Sequence, residues 1–246
     1  MTSSINAQKG PISFVHIPKS GGSSIVSLAI QHNRSWGECL FLDKIPKLGM
    51  ECPSLNREQQ GPNAFPSQRW WHTPIQYFPS ANPYQGYDLF AIIRNPYDRT
   101  VSEFFHHCTL TKKKCKGSKE GPAELMNRHI QKSLQRFRNA EKDTTNYYLD
   151  YGHWIPQYDF FYDSNGKRVV KYMLLLEHLK EQFDSLMRAY HGSDDGDVMQ
   201  LPDKHVRSRN DFSFGVNGLT ASTRKLIESV YEQDFVLGGY SMLPNI

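Results

Sequence analysis

A glycine-rich turn between an apolar strand and an apolar helix is the feature that most constrains this chain. The stretch from Pro11 to Ser27 reads PISFVHIPKSGGSSIVS. Its first half is an apolar run that predicts a strand, and the apolar residues after Ser24 recur at helical spacing. Glycines let the backbone turn tightly around an anion, and the N–H groups at a helix N-terminus can then face that anion. The stretch therefore predicts an oxyanion-binding loop.

Positive charge and hydroxyl groups surround the turn. Lys19 comes before the two glycines, and Ser20, Ser23 and Ser24 flank them. The two later serines are also candidates for capping the helix. Nucleotide hydrolases instead place a lysine after the last glycine, before Ser or Thr, and the chain contains no such GK[ST] sequence. An ordinary strand–helix turn is the alternative to a phosphate loop.

A second basic motif follows a second apolar strand. Residues 87–93 (YDLFAII) are nearly all apolar, as expected for a central strand covered on both faces. They lead directly into RNPYDR at 94–99, where Pro96 fits the first turn of a helix. Arg94 thus follows the carboxyl end of a strand, where open α/β sheets bind ligands, and its guanidinium can grip a phosphate. A structural salt bridge is the alternative for Arg94 and the favoured interpretation of Arg99.

These two motifs, about 70 residues apart and in this order, resemble those of the sulfotransferases that use 3′-phosphoadenosine 5′-phosphosulfate (PAPS). PKSGGSS at 18–24 is similar to the 5′-phosphosulfate loop of the carbohydrate (heparan/chondroitin-type) O-sulfotransferases, whose usual form is PKTGGTS. RNPYDRTVSEF at 94–104 is similar to their 3′-phosphate motif. WHT at 71–73, WIPQ at 154–157, LLEHL at 175–179 and DFVLGGY at 234–240 also resemble that family, so the similarity spans roughly residues 11–241.

The resemblance implies transfer of a sulfuryl group from PAPS to an acceptor hydroxyl, with PAP as the second product. Lys19 would stabilise charge on the oxygen of the leaving group, and Arg94 with Ser102 would bind the 3′-phosphate. Arg207 and Ser208 would contact the nucleotide, with a solvated basic loop as the equal alternative. The implied nucleotide-binding residues are Lys19, Ser20, Gly21, Gly22, Ser23, Ser24, Arg94, Ser102, Arg207 and Ser208.

A base must take the proton of the acceptor hydroxyl. His72, on a predicted strand that Pro74 ends, is our candidate, because an imidazole titrates near neutrality and family members place a histidine there. A packed histidine beside two tryptophans is the alternative. We expect His16 to be structural. Glu177 is an alternative base, and a buried carboxylate that anchors an arginine is the other interpretation of it. We also expect one of Glu103, His106 and His107 to approach the site.

Strands alternate with helices along the chain. This order predicts a three-layer, P-loop-like α/β fold with a central, mostly parallel sheet flanked by helices. We expect residues 1–10 to be a flexible tail and residues 11–246 to form one domain. The net charge of +4 suits an anionic ligand but does not indicate a nucleic-acid partner. No acidic cluster suggests a metal site.

The N-terminus and the cysteines bear on the cellular compartment. No signal peptide or run of about 18 apolar residues is present, which predicts no membrane-spanning segment. We expect a cytoplasmic enzyme if the sequence is complete, and one of the Golgi lumen if it is part of a longer, membrane-anchored protein. Reduced thiols are favoured over a bridge between Cys108 and Cys115. The other two cysteines are Cys39 and Cys52.

We expect the acceptor to be a carbohydrate. Aromatic residues are dense at 147–162 and lysines at 109–119, which would suit a sugar and an anionic chain. Core packing and a solvated surface are the favoured alternatives for these two segments. A small alcohol or secondary metabolite is the alternative acceptor. Two other classes remain open: a P-loop kinase or NTPase that needs ATP and Mg²⁺, and a non-catalytic PAP-binding module on a sulfotransferase scaffold.

Overall fold

The computed structural model describes residues 11–32, 36, 72–77, 84–110, 115, 121–140, 152–191, 198–202 and 215–244. The predicted tail at 1–10 lies outside these ranges, as do Arg207, Ser208, Cys39 and Cys52. The described strands are β1 (Ile12–Val15), β2 (Asp88–Ile93) and β3 (Val170–Leu175). The described α-helices are α1 (Gly22–Gln31), α2 (Pro96–Leu110), α3 (Pro122–Ala140), α4 (Leu179–His191), α5 (Ala221–Val230) and α6 (Glu232–Gly238).

The three strands form one parallel sheet in the order β1-β2-β3. Phe14 of β1 pairs with Phe90 of β2, which pairs in turn with Tyr172 of β3. The central strand β2 is at most 4% exposed from Leu89 to Ile93, because helices cover both of its faces. This burial on both faces explains the continuous apolar run from which a central strand was predicted.

Alternate residues of β2 face opposite layers of helices. Leu89, Ala91 and Ile93 pack in a core with apolar residues of α2, α3, α5 and α6. Phe90 and Ile92 pack in a second core with residues of α1 and α4. Since side chains alternate between the two faces of a strand, this division makes a helix–sheet–helix arrangement. The predicted three-layer α/β fold is confirmed.

Side-chain caps fix the starts of two helices that frame the sheet. The side chain of Asn95 accepts the N–H of Tyr97 at 3.0 Å, and Pro96 occupies the first position of α2, as predicted. The hydroxyl of Thr220 accepts the N–H of Thr223 at 3.3 Å at the start of α5. Within the described ranges, no helix is both long and apolar enough to cross a membrane.

Cys108 and Cys115 form a disulfide, so the prediction of reduced thiols is wrong for this pair. Cys108 lies near the end of α2, and the Cα atoms of Cys108 and Cys115 are 5.5 Å apart. This separation falls in the usual range for a disulfide. The bridge therefore joins Cys115 to α2.

The predicted strand before Pro74 is also wrong where the structure describes it. His72 and Thr73 lie in a turn outside the sheet, and a 3₁₀ turn follows at Ile75–Tyr77. Proline cannot donate to a sheet ladder, so it does not favour pairing here. The backbone of His72 instead packs on Gly152, where a Cβ atom would lie 2.9 Å from the His72 carbonyl oxygen.

Candidate active site

The glycine-rich turn connects β1 to α1 at the carboxyl edge of the sheet. Lys19 and Gly21 both adopt left-handed backbone conformations, with φ of 66° and 84°. Glycine adopts this conformation at little cost, but in lysine it is uncommon and strained. Gly21 is the N-cap of α1 and provides no side-chain cap, so Ser23 and Ser24 lie inside the first turn and do not cap it as predicted. The Ser24 N–H donates to the Gly21 carbonyl at 3.0 Å, and the N–H groups before it suit an external acceptor.

The two glycines also allow close packing around the turn. A Cβ atom on Gly22 would lie 2.4 Å from the ring of His16, and one on Gly21 would lie 2.6 Å from a methyl carbon of Leu176. Larger residues would force these neighbours away. The adjacent Ser23 is exposed.

Gln157 connects this turn to the end of β2. Its buried Oε1 accepts hydrogen bonds from the Ser20 hydroxyl at 3.1 Å and from the Arg94 N–H at 2.9 Å, while its Nε2 donates to the Arg94 carbonyl at 2.9 Å. The Gln157 N–H donates to Asp234 at 2.9 Å. The guanidinium of Arg94 reaches the Lys19 carbonyl at 3.4 Å. The two predicted anion-binding motifs therefore meet at one edge of the sheet.

The two remaining predicted serines have different surroundings. Ser20 is buried and uses its hydroxyl proton on Gln157, so this side chain holds the turn. Ser102 lies half-buried on α2, eight residues after Arg94. It makes no hydrogen bond through its side chain within the described part of the chain.

Arg99 is structural, as expected. Its Nε donates to the carbonyl of Pro18 at 3.1 Å, and its Nη2 donates to the carbonyls of His153 and Ile155 at 3.0 and 2.8 Å. Its acidic partner is Asp234, 4.0 Å away. Arg99 thus ties the start of the glycine-rich turn to the 153–155 segment.

Two carboxylates lie close to Arg94. Burial lowers the pKa of its guanidinium, while Asp98 and Glu177 raise it. Burial also raises the pKa of Asp98. Glu177 accepts the Asn95 N–H at 3.1 Å and the Tyr240 hydroxyl at 2.9 Å, one on each carboxylate oxygen. These bonds favour a structural role for Glu177 over that of a base.

Four histidines form a cluster of contacting rings beside the turn, which we call the histidine cluster. The ring centroids of His16 and His72 are 5.1 Å apart, those of His72 and His153 are 4.9 Å apart, and those of His106 and His153 are 5.3 Å apart. The described residues contain no group of three or more His, Cys, Asp and Glu side chains arranged to hold a metal ion.

Two members of the cluster are poor proton acceptors. Burial, followed by the nearby His153 and Lys19, lowers the pKa of His16 to about 3. Burial and the charge of Lys19 lower the pKa of His106 to about 4, although Glu103 opposes this effect. His16 fills the space beside the turn, and its Nδ1 makes no hydrogen bond. Both rings are therefore neutral at pH 7, which agrees with the structural role expected for His16.

His153 is a candidate that the sequence analysis missed. Its Nδ1 lies 2.6 Å from Oε2 of Glu103, and both side chains are nearly buried. Glu103 was among the residues expected to approach the site, and the structure places it against the histidine cluster. The only local signal for His153 is its position just before the WIPQ segment, because its partner comes from α2, 50 residues away.

A parallel sheet with a strained glycine-rich turn and the half-buried Arg94 at its carboxyl edge defines a P-loop-like α/β protein. The chain belongs to the sulfotransferase family, because the sequence model described as "Sulfotransferase family" matches residues 4–241. The protein is thus an enzyme that transfers a sulfuryl group. No curated protein and no solved structure gives a significant match.

Proposed function

We propose that this sulfotransferase moves the sulfuryl group of PAPS to a hydroxyl group of a carbohydrate and releases PAP. The observation that carries the proposal is the bridge made by Gln157, which bonds to Ser20 in one anion-binding motif and to Arg94 in the other. Two such motifs held side by side suit a donor with phosphate groups at both its 5′ and 3′ positions.

The glycine-rich turn would hold the 5′ side of the donor. The N–H groups from Gly21 to Ser24 lie at the start of α1, where the helix dipole favours an anion. The hydroxyls of Ser23 and Ser24 lie in the same first turn and can add hydrogen bonds. Ser20 and Gly22 shape the turn, through the bond to Gln157 and the close packing described above.

Arg94 and Ser102 would bind the 3′-phosphate. A guanidinium can donate two parallel hydrogen bonds to a phosphate, and this pairing would distinguish PAPS from nucleotides that lack the 3′ group. Arg207 and Ser208, which lie outside the described residues, are proposed to add contacts to the nucleotide. The positive charges suffice for this binding, and we propose no metal ion.

The chemical step uses His72 and Lys19. As the acceptor oxygen bonds to sulfur and the bond from sulfur to the bridging oxygen breaks, His72 takes the hydroxyl proton. Lys19 stabilises the negative charge that develops on the departing phosphate oxygen. Positioning and electrostatic stabilisation should dominate catalysis, as they do for phosphoryl transfer.

The described residues give some support for a carbohydrate acceptor. The rings of Tyr158 and Tyr162 are half-buried and stack with centroids 4.3 Å apart, which offers an aromatic surface in the segment that follows Gln157. Trp154 and Phe160 are buried in the core, which agrees with core packing as the favoured interpretation of these two residues. Residues 147–151 lie outside the described ranges.

The disulfide of α2 supports an oxidising compartment. Bridges of this kind persist in secretory compartments and are rare in the cytosol. We therefore propose the Golgi lumen as the site of action, in preference to the cytoplasm. This location agrees with a polysaccharide acceptor.

A transfer assay tests the function directly. The enzyme is incubated with ³⁵S-labelled PAPS and either desulfated heparan and chondroitin chains or a panel of small alcohols. We expect label on a polysaccharide and a loss of about 10²–10⁴-fold in the His72→Ala variant, with no loss in His32→Ala at the end of α1. Label on small alcohols alone would favour the alternative acceptor. PAP binding without transfer to any acceptor would favour the non-catalytic module.

A further inference from the structure

The pair formed by Glu103 and His153 lies directly behind the proposed base. The carboxylate of Glu103 hydrogen-bonds to Nδ1 of His153 at 2.6 Å, and the two side chains are only 7% and 11% exposed. The ring of His153 contacts the ring of His72 at a centroid distance of 4.9 Å, with the ring planes 64° apart. A chain of contacts therefore runs from a buried carboxylate to the base.

Positive charge is disfavoured on two members of the histidine cluster. His153 and Lys19 both lower the pKa of His16 and of His106, after the larger effect of burial. A base in the same cluster must become positively charged close to that lysine. Glu103 acts in the opposite direction, because it raises the pKa of His106. Its negative charge therefore opposes, at His106, the effect of the nearby positive charges.

We propose that Glu103, acting through His153, is the counter-ion that stabilises the positive charge on His72 when this imidazole takes the proton of the acceptor hydroxyl. The inference rests on the proposed function. Glu103 and His153 are positioning residues, since they act through His72. The hydroxyl proton ends on His72, the acceptor oxygen ends on sulfur, and the electron pair of the broken bond stays on the departing phosphate oxygen.

Other polar groups face the cluster and frame the pair. Arg99 donates to the His153 carbonyl at 3.0 Å, which fixes the backbone that carries the ring. The hydroxyl of Tyr231 donates to the Trp154 carbonyl at 2.9 Å, and burial raises the pKa of this tyrosine above its usual value, so it stays neutral. Among the described residues, the rings that contact His72 are those of His16 and His153. The charged or titratable groups that act on His16 or His106 are Lys19, Glu103, His107 and His153, and Arg99 and Tyr231 lie at the backbone of the 153–155 segment.

Histidine ring titration by NMR tests the inference without an acceptor. Protein labelled with ¹⁵N-histidine is titrated as wild type and as Glu103→Gln, with ring signals assigned from His72→Gln and His153→Gln. Loss of the carboxylate charge disfavours the imidazolium, so the His72 midpoint should move to lower pH by about 0.5–1 unit. The matched variant Glu181→Gln, which removes an exposed carboxylate on α4, should leave the midpoint unchanged.

Two further readouts separate the possible failures. In the wild type, Nδ1 of His153 should carry a proton throughout the titration. This readout needs no variant, so it holds even if Glu103→Gln does not fold. A neutral His153 ring with its proton on Nε2 would overturn the inference. So would a His72 midpoint that does not move in Glu103→Gln, or a His72 ring that never titrates. Calorimetry of the same wild-type sample with PAP judges the donor site separately, since absence of binding would overturn the proposed function alone.

Discussion

The side-chain amide of Gln157 pairs with the backbone of Arg94 through two hydrogen bonds, one in each direction and both 2.9 Å long. The amide thereby continues, beyond the end of β2, the pairing that a neighbouring strand would provide. Its oxygen also accepts the hydroxyl of Ser20. One buried side chain therefore sets the spacing between the two anion-binding motifs.

Replacing this amide should disrupt both motifs. Gln157→Leu leaves buried groups of Arg94 and Ser20 without partners, which should lower the free energy of unfolding by about 3 kcal/mol or more. PAP affinity should fall at least about tenfold, a loss of about 1.4 kcal/mol. Gln131→Leu, which removes bonds between α3 and α5, is the control and should retain PAP affinity. Urea unfolding and calorimetry measure both effects; equal PAP affinity in the two variants would contradict the proposed bridge.

Two substitutions of Lys19 should separate its effect on stability from its effect on sulfuryl transfer. The left-handed backbone conformation of Lys19 is strained, and glycine adopts the same conformation with little strain. Lys19→Gly should therefore raise the free energy of unfolding by about 1 kcal/mol. Lys19→Met keeps the strained conformation and should not gain stability. Both variants should lose sulfuryl transfer, because both lack the charge at the leaving group. Retained turnover in either one would remove Lys19 from the chemical step.

Stability should fall in acid because His16 is buried in its neutral form. Its folded-state pKa of about 3 lies below the unfolded value of 6.5, so the unfolded state binds more protons between these limits. The contribution of His16 to the free energy of unfolding is complete above pH 6.5. It is lost as the pH falls toward 3, by up to about 1.4 kcal/mol per pH unit. Unfolding by urea from pH 4.5 to 7.5 should show a flatter profile for His16→Gln. An unchanged slope, equal to that of a His178→Gln control, would refute this.

Reduction should destabilise the enzyme through α2. Opening the bridge between Cys108 and Cys115, which are seven residues apart, should cost about 2–3 kcal/mol by loop-closure entropy. Thermal unfolding with and without reductant measures this cost. The double variant Cys108→Ser/Cys115→Ser should match the reduced wild type and respond less to reductant. A wild-type protein that is equally stable in both conditions would contradict the prediction.

Local sequence patterns predicted the fold well. The apolar run that ends at Ile93 predicted a central strand, and Pro96 predicted the first turn of α2, because both signals are encoded within a few residues. The conformation around His72 was predicted wrongly as a strand, since aromatic neighbours favour β structure but here the segment packs on Gly152.

The supporting contacts of the site could not be predicted from sequence. Gln157 is 137 residues from Ser20, and His153 is 50 residues from Glu103. A single glutamine or histidine carries no local pattern, so only the folded chain shows what it contacts. The disulfide also escaped prediction, because the spacing of Cys108 and Cys115 permits a bridge without requiring one.

The measurement that tests the central claim most directly is a calorimetric titration with PAP, compared with AMP and with ATP–Mg²⁺, for the wild type and Arg94→Ala. The wild type should bind PAP tightly and AMP weakly, since AMP lacks the 3′-phosphate. Arg94→Ala should lose PAP affinity far more than AMP affinity. Equal losses for the two ligands would remove Arg94 from the 3′-phosphate site, and a preference for ATP–Mg²⁺ would contradict PAPS as the donor.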